Sequence, residues 1–119
     1  MNAAVTAPLS TGKEGQVLDK FDRQGAPLEL MEWARLFEDA QYKRVAETTL
    51  QDGKYVSTVW LGLDHRFGGD GLPLIFETMV FPTRGDCRDL DCARYSTEEN
   101  ALNGHNAMVK KWQKEEPDA

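Results

Sequence analysis

Cysteine and histidine are scarce in this sequence, which contains two of each among its 119 residues. Cys87 and Cys92 are expected to be free thiols in a cytosolic chain, because a reducing compartment keeps thiols from pairing. Together with His65 and His105 they could supply four zinc ligands, but neither histidine has the local spacing of a zinc finger. We therefore expect no metal and no other cofactor.

Long apolar runs and clusters of basic residues are also missing. No run approaches the ~20 apolar residues of a membrane-spanning helix. The first residues lack the basic start and apolar core of a signal peptide, so we expect a cytoplasmic location and no membrane partner. The net charge is −6 and the basic residues are scattered, which argues against direct nucleic-acid binding. An acidic surface could dock on a basic partner, although it also simply favours solubility.

The composition, with 40% hydrophobic and 29% charged residues, is typical of one soluble domain. Residues 1–26 contain few large apolar groups and no periodicity, which predicts a flexible N-terminal arm. Residues 27–40 predict the first helix, because apolar side chains recur there at helical spacing. The predicted buried stripe consists of Leu30, Trp33, Ala34 and Phe37.

The middle of the chain is rich in β-branched and aromatic residues. Strands are predicted at about 43–50 and 55–63, and the Asp52-Gly53 pair between them predicts a hairpin. A glycine-rich loop then leads to a third predicted strand at 72–81, and a short fourth strand follows at about 92–95. This order predicts an antiparallel meander.

The last predicted element is a helix from about residue 97 to residue 113. Ser96 and Glu99 have the spacing of a capping box, which marks its start. Residues 114–119 form a charged tail. Helices before and after the meander along the sequence predict an α+β fold. In this fold a three- to four-stranded antiparallel sheet packs with an N-terminal and a C-terminal helix. We expect a single domain over residues 27–113.

The best place to look for a site is the end of the second strand, where Asp64 and His65 leave the sheet. Glu77 interrupts the apolar third strand and needs a partner if it is buried, with Arg44, Arg94 and His65 as candidates. We expect the candidate residues to lie at one end of the sheet, as a small pocket for a ligand or partner. They are Asp64, His65, Glu77, Arg94, Tyr95 and His105.

Two other interpretations of these residues stay open. They could form a buried polar network that fixes the hairpin to the last helix. They could also form a small hydrolase or metal-dependent enzyme centred on His65, Glu77 and His105. No spacing selects a nucleophile, a base and an orienting group, so no residue is assigned as catalytic and no metal ligand is assigned.

Three stretches of the chain have a distinctive sequence. They are Gly62-Leu63-Asp64-His65, Phe76–Phe81 with the sequence FETMVF, and an RY-x-T…GH element that consists of Arg94-Tyr95, Thr97 and Gly104-His105. In these stretches the chain resembles a family of small uncharacterised proteins from tailed bacteriophages and prophages. The resemblance covers roughly residues 30–112, so the N-terminal 26 residues lie outside it.

The resemblance implies a genomic context and no activity, since the family has no assigned function. It suggests an accessory protein that binds a host protein in the host cytoplasm. Inhibition of a host defence system, through an acidic surface or a small ligand pocket, is the function expected. A structural component of the virion is a further alternative, and an exposed edge strand leaves a homodimer open.

Overall fold

The computed structural model describes residues 19–64 and 72–113. Three helices and four strands follow one another as α1 (Leu30–Phe37), α2 (Ala40–Lys43), β1 (Arg44–Thr49), β2 (Tyr55–Trp60), β3 (Phe76–Phe81), β4 (Asp91–Tyr95) and α3 (Glu98–Trp112). The strands form one sheet in the order β1-β2-β3-β4, and each neighbouring pair is antiparallel. The predicted α+β fold with a meander sheet is confirmed. Within the described ranges, no helix has the length and apolarity to cross a membrane.

One face of the sheet is covered by helices. Side chains on a strand alternate between its two faces, so every second residue of β2 and β3 points to the same side. On this covered face Val56, Thr58 and Trp60 lie beside Val80, Thr78 and Phe76, and all six are buried. All three helices pack against this face: Met108 of α3 reaches Val56 and Val80, while side chains of α1 and α2 surround Trp60.

The opposite face, which we call the open face, is more polar. Its central side chains are partly buried, Glu77 is buried, and its edge side chains are exposed. The open face consists of Arg44, Glu47 and Thr49 of β1, Tyr55, Ser57 and Val59 of β2, Glu77, Met79 and Phe81 of β3, and Cys92 and Arg94 of β4, with Arg84 from the following loop.

The predicted first helix was too long, because residues 27–28 are extended and residues 38–39 interrupt the helix. Pro27 pairs with Phe21, and Leu28 donates a backbone hydrogen bond to Lys20, so α1 cannot begin before Leu30. The Asp39 carboxylate accepts hydrogen bonds from the backbone N–H groups of the next turn. It therefore caps a separate short helix, α2.

Three other boundaries differ from the prediction. β2 ends at Trp60 and β3 begins at Phe76, although the predicted strands extend to residue 63 and start at residue 72. The N-cap of α3 is Thr97, whose hydroxyl accepts a hydrogen bond from the Asn100 N–H. Ser96 is not the cap because its hydroxyl donates to the Leu72 carbonyl instead.

Residues 19–26, assigned to the arm from the sequence, are attached to the domain. The Phe21 N–H donates to the Gly62 carbonyl, and the Trp60 indole N–H donates to the Phe21 carbonyl. Arg23 makes a two-pronged ion pair with Glu98 at the start of α3, with N···O distances of 2.9 and 2.6 Å. The rest of the predicted arm (residues 1–18) and the tail (114–119) lie outside the described residues.

Among the described glycines, Gly62 combines a positive φ with a lack of space for a side chain. Its φ is +76°, and a Cβ built there would lie 2.5 Å from Trp60 Cζ2 and 2.6 Å from Trp33 Nε1. Trp33 is held in that place because its indole N–H donates to the Leu61 carbonyl at 3.0 Å. Both indoles are packed, so neither can move aside without disturbing the core around Trp60.

We expect Gly62→Ala to lower the free energy of unfolding by about 2–4 kcal/mol, from backbone strain and overpacking together. Gly53→Ala is the matched control, because Gly53 has a φ of +98° but open space around its Cβ position. It should cost about 1–2 kcal/mol, from the backbone alone. Urea unfolding of both variants measures the difference, and equal costs would contradict the packing argument.

Candidate functional site

The structure does not gather the predicted site residues into one pocket. Glu77 and Arg94 are paired on the open face, whereas His105 lies under the covered face, on α3. The separation follows from strand alternation, because Thr78, the neighbour of Glu77, points toward the His105 side. The expected shared cluster of these side chains is therefore wrong for Glu77 and His105.

Two of the remaining predicted residues, Asp64 and Tyr95, have structural contacts. The Asp64 carboxylate accepts a hydrogen bond from the Leu74 N–H at 3.1 Å, so it links the two ends of the β2–β3 connection. Tyr95 packs in the core cluster of Trp60, and its ring lies so close to Gly104 that a Cβ there would collide with it. His65 lies outside the described residues.

His105 is the centre of a buried chain of hydrogen bonds. Its Nδ1 lies 2.7 Å from Thr58 Oγ1 and its Nε2 lies 2.8 Å from Thr48 Oγ1. Thr58 Oγ1 in turn lies 2.5 Å from Thr78 Oγ1. Only 3% of His105 is exposed, and both threonines of the inner pair are fully buried. This chain joins α3 to β1, β2 and β3; it includes His105 from the predicted set, whereas its other members are threonines that the sequence analysis did not name.

Burial lowers the pKa of His105 below its ordinary value of 6.5, since the charged ring would lose its hydration. The hydrogen-bond partners of the ring are neutral hydroxyls, which do not replace the lost hydration of a charge. The ring is therefore neutral at pH 7, with one nitrogen donating a hydrogen bond and the other accepting one.

Because the pKa of His105 is lowered, we expect the free energy of unfolding to decrease as the pH falls below ~6.5. The unfolded chain then binds a proton that the folded chain does not, so the free energy of unfolding decreases. Each tenfold difference in proton affinity between the two states contributes about 1.4 kcal/mol. Urea unfolding between pH 7.5 and pH 5 measures this slope.

The variant His105→Asn should flatten that slope even though it lowers stability at every pH. His65→Asn separates the contribution of the other histidine. A slope that survives in His105→Asn and disappears in His65→Asn would contradict the assignment.

Glu77 is a buried carboxylate with two partners at the open face. Arg94 reaches Glu77 Oε2 with Nε at 3.1 Å and a terminal nitrogen at 3.0 Å, and the Cys92 thiol donates to the same oxygen at 3.3 Å. Of the three partners considered for Glu77, Arg94 is therefore the one observed. Arg44 pairs with Glu47 instead, at 3.6 Å.

This arrangement makes Cys92 a poor nucleophile. Cys92 is exposed as a residue, but partial desolvation of its thiol and the hydrogen-bonded Glu77 carboxylate raise the pKa of Cys92 to about 11. The thiolate is the reactive form, so only about one molecule in a thousand is reactive at pH 8. A catalytic role for Cys92 as a thiolate is not favoured by its surroundings.

We expect Cys92 to react with iodoacetamide far more slowly than an ordinary exposed thiol at pH 8. The single-thiol variant Cys87→Ser reports on Cys92, and Cys92→Ser reports on the exposed Cys87 as the control. Adding Glu77→Gln should accelerate alkylation of Cys92, because the nearby negative charge is removed. Equal rates at the two cysteines would contradict the predicted pKa. Mass spectrometry gives both rates.

The other half of the open face is organised by Glu47. Its carboxylate accepts a hydrogen bond from the Tyr55 hydroxyl at 2.5 Å and pairs with Arg84 at 3.5 Å and Arg44 at 3.6 Å. The Arg84 guanidinium also lies over the Tyr55 ring, 5.0 Å from its centre, and Phe81 lies beside that ring. Sequence analysis missed this group, although the predicted hairpin with strand alternation could have placed Glu47 and Tyr55 on one face.

A second exposed feature lies on α1. Leu30 is 58% exposed and Met31 is 77% exposed. The prediction that Leu30 belongs to the buried stripe is wrong, because Leu30 is exposed while Trp33, Leu36 and Phe37 of the same helix pack into the core. The neighbouring acidic residues are exposed as well: Glu29, Glu32, Glu38 and Asp39. We call this set, with Leu30 and Met31, the α1 surface.

No family model, curated protein or solved structure matches the chain. The resemblance to tailed-phage proteins therefore stays a prediction. Within residues 19–64 and 72–113, no three histidine, cysteine, aspartate or glutamate side chains come close enough together to hold a metal ion.

Proposed function

We propose that the protein is a phage- or prophage-encoded accessory protein that binds a host protein through its α1 surface. The observation that carries this proposal is the exposure of Leu30 and Met31 at consecutive positions of a helix that is anchored to the core. Single exposed apolar residues are ordinary, whereas exposed apolar residues bordered by polar ones can mark a contact site, and carboxylates flank this pair along the chain.

The charge around these two residues indicates the chemistry of the partner. Residues 29–39 contain four carboxylates and one arginine, Arg35, which lies 3.7 Å from Glu32. An acidic rim attracts a basic surface and increases the rate of encounter with it. The partner is therefore a host protein with an apolar pocket inside a basic groove. A defence protein that binds nucleic acid has such a groove, and occupation of the groove would inhibit it.

The geometry favours binding over the enzyme centred on His65, Glu77 and His105. Glu77 and His105 point to opposite faces of the sheet, and the nitrogens of His105 are already bonded to threonine hydroxyls. The same separation argues against a small ligand pocket that includes both residues.

The test is a pull-down from host lysate with quantitative mass spectrometry, followed by calorimetry with the purified partner. We expect Leu30→Ser/Met31→Ser to weaken binding at least tenfold, about 1.4 kcal/mol, since the apolar contact is lost. Glu38→Lys should also weaken binding, because it replaces an attraction to the basic partner by a repulsion. This loss of affinity should grow as the salt concentration is lowered, because less salt screens the charges less.

The matched control is Leu102→Ser, an exposed leucine on α3, which should bind like the wild type. Equal binding by the α1 variants and the wild type would contradict the proposed surface. A wild-type chain that captures no stoichiometric host protein and co-purifies with phage particles would contradict the host-binding proposal in favour of a virion component.

A further inference from the structure

The open face has the composition of a protein interface. Its two central strands contribute Tyr55, Val59, Met79 and Phe81 together with the polar Ser57 and Glu77, and its charged residues are arginines and glutamates. Interfaces are enriched in aromatic residues, methionine and arginine and are depleted in lysine. None of the residues that define the open face is a lysine.

The charge of the open face differs from that of the whole chain. Three arginines oppose two glutamates, which gives the face a formal charge of +1, while the chain carries −6. Two copies of an acidic protein repel one another at most orientations, so they can approach only through a surface that is not acidic. The open face meets this condition.

The ion pairs of the open face also indicate which kind of molecule binds there. Arg44 and Arg84 are paired with Glu47, and Arg94 is paired with Glu77. A phosphate chain needs several cations without such partners, because binding depends on their neutralising its charge. A surface with both signs of charge and an apolar centre fits a second surface of the same kind.

We infer that the open face is the contact between two copies of this chain, packed sheet against sheet about a twofold axis. An isologous contact needs a self-complementary patch, and a mixed patch of arginine, glutamate and apolar side chains provides one. An axis parallel to the strands places β1 of one copy over β4 of the other. The Glu47 edge of each copy then faces the Cys92–Arg94 edge of its partner.

The size of the sheet sets the expected strength. Four strands of about six residues present a rectangle of roughly 20 by 20 Å on each copy. Such a rectangle is about 400 Å² per copy and about 800 Å² for the pair, which is below the ~1,200 Å² of a standard specific interface, so the dimer should be weak and transient and should dissociate at high micromolar concentrations. The α1 surface, on α1 at the covered side of the sheet, stays free in this dimer. The inference therefore does not rest on the proposed host binding.

The test is sedimentation equilibrium of the full chain from about 1 to 500 μM, a range that brackets this affinity. The wild type should change with concentration from 13.4 kDa to twice that mass. Met79→Glu should raise the dissociation constant of the dimer at least tenfold, because it places two carboxylates at the centre of the contact. Leu102→Glu is the matched control: it adds the same charge at an exposed position of α3 and should lower association only slightly.

Ser57→Lys is a second variant that keeps the test decisive if Met79→Glu does not fold. Ser57 pairs with Met79 at the centre of the face, and a lysine there can extend into water in the monomer but not in the dimer. A wild type that remains at 13.4 kDa throughout would overturn the inference and leave the face to another partner. A dimer that tolerates both variants would also overturn it, and would assign the contact to an edge strand.

Discussion

The hydrogen-bond chain from Thr48 through His105 to Thr58 and Thr78 is the interaction that the arrangement of the layers depends on. It connects one helix to three strands inside an otherwise apolar layer. Each buried member must keep its partners, because an unsatisfied polar group in this place costs ~1–3 kcal/mol. The network therefore fixes the position of α3 over the sheet more strictly than apolar contacts alone would.

The same constraint determines which residues remain for contacts with other molecules. His105 is needed neutral and buried, and strand alternation places Glu77 on the other side of the sheet. The polar residues that the sequence analysis grouped together therefore separate in the fold: His105 belongs to the buried network, and Glu77 belongs to the open face. Glu77 and His105 therefore lie in different layers and do not belong to one site.

Two surfaces with different chemistry result from this division. The α1 surface combines exposed Leu30 and Met31 with carboxylates, while the open face combines aromatic and aliphatic residues with paired arginines and glutamates. The first suits a basic partner and the second suits a copy of itself. A dimer through the open face would present two α1 surfaces to its partners. Two linked contacts of this kind bind more tightly than one when the partner can engage both.

Sequence alone determined the local structure and the class of fold. The Asp52-Gly53 pair sets the first hairpin because a glycine accepts the positive φ that the turn needs, and β-branched residues set the strands on either side. Helical spacing in residues 97–113 and the polar group at its start set α3. These features depend on neighbours within a few residues, so a meander with flanking helices could be predicted.

Only the tertiary structure decided which side chains meet. The partners of His105 are 47 and 57 residues away along the chain, and Arg23 finds Glu98 across 75 residues. Leu30 is exposed although it has the spacing of a core residue, because residues 27–28 pair with an earlier segment and α1 contacts the core through Trp33, Leu36 and Phe37. Such pairings depend on how separate elements pack, and a periodic pattern in one segment contains no information about the surface it will face.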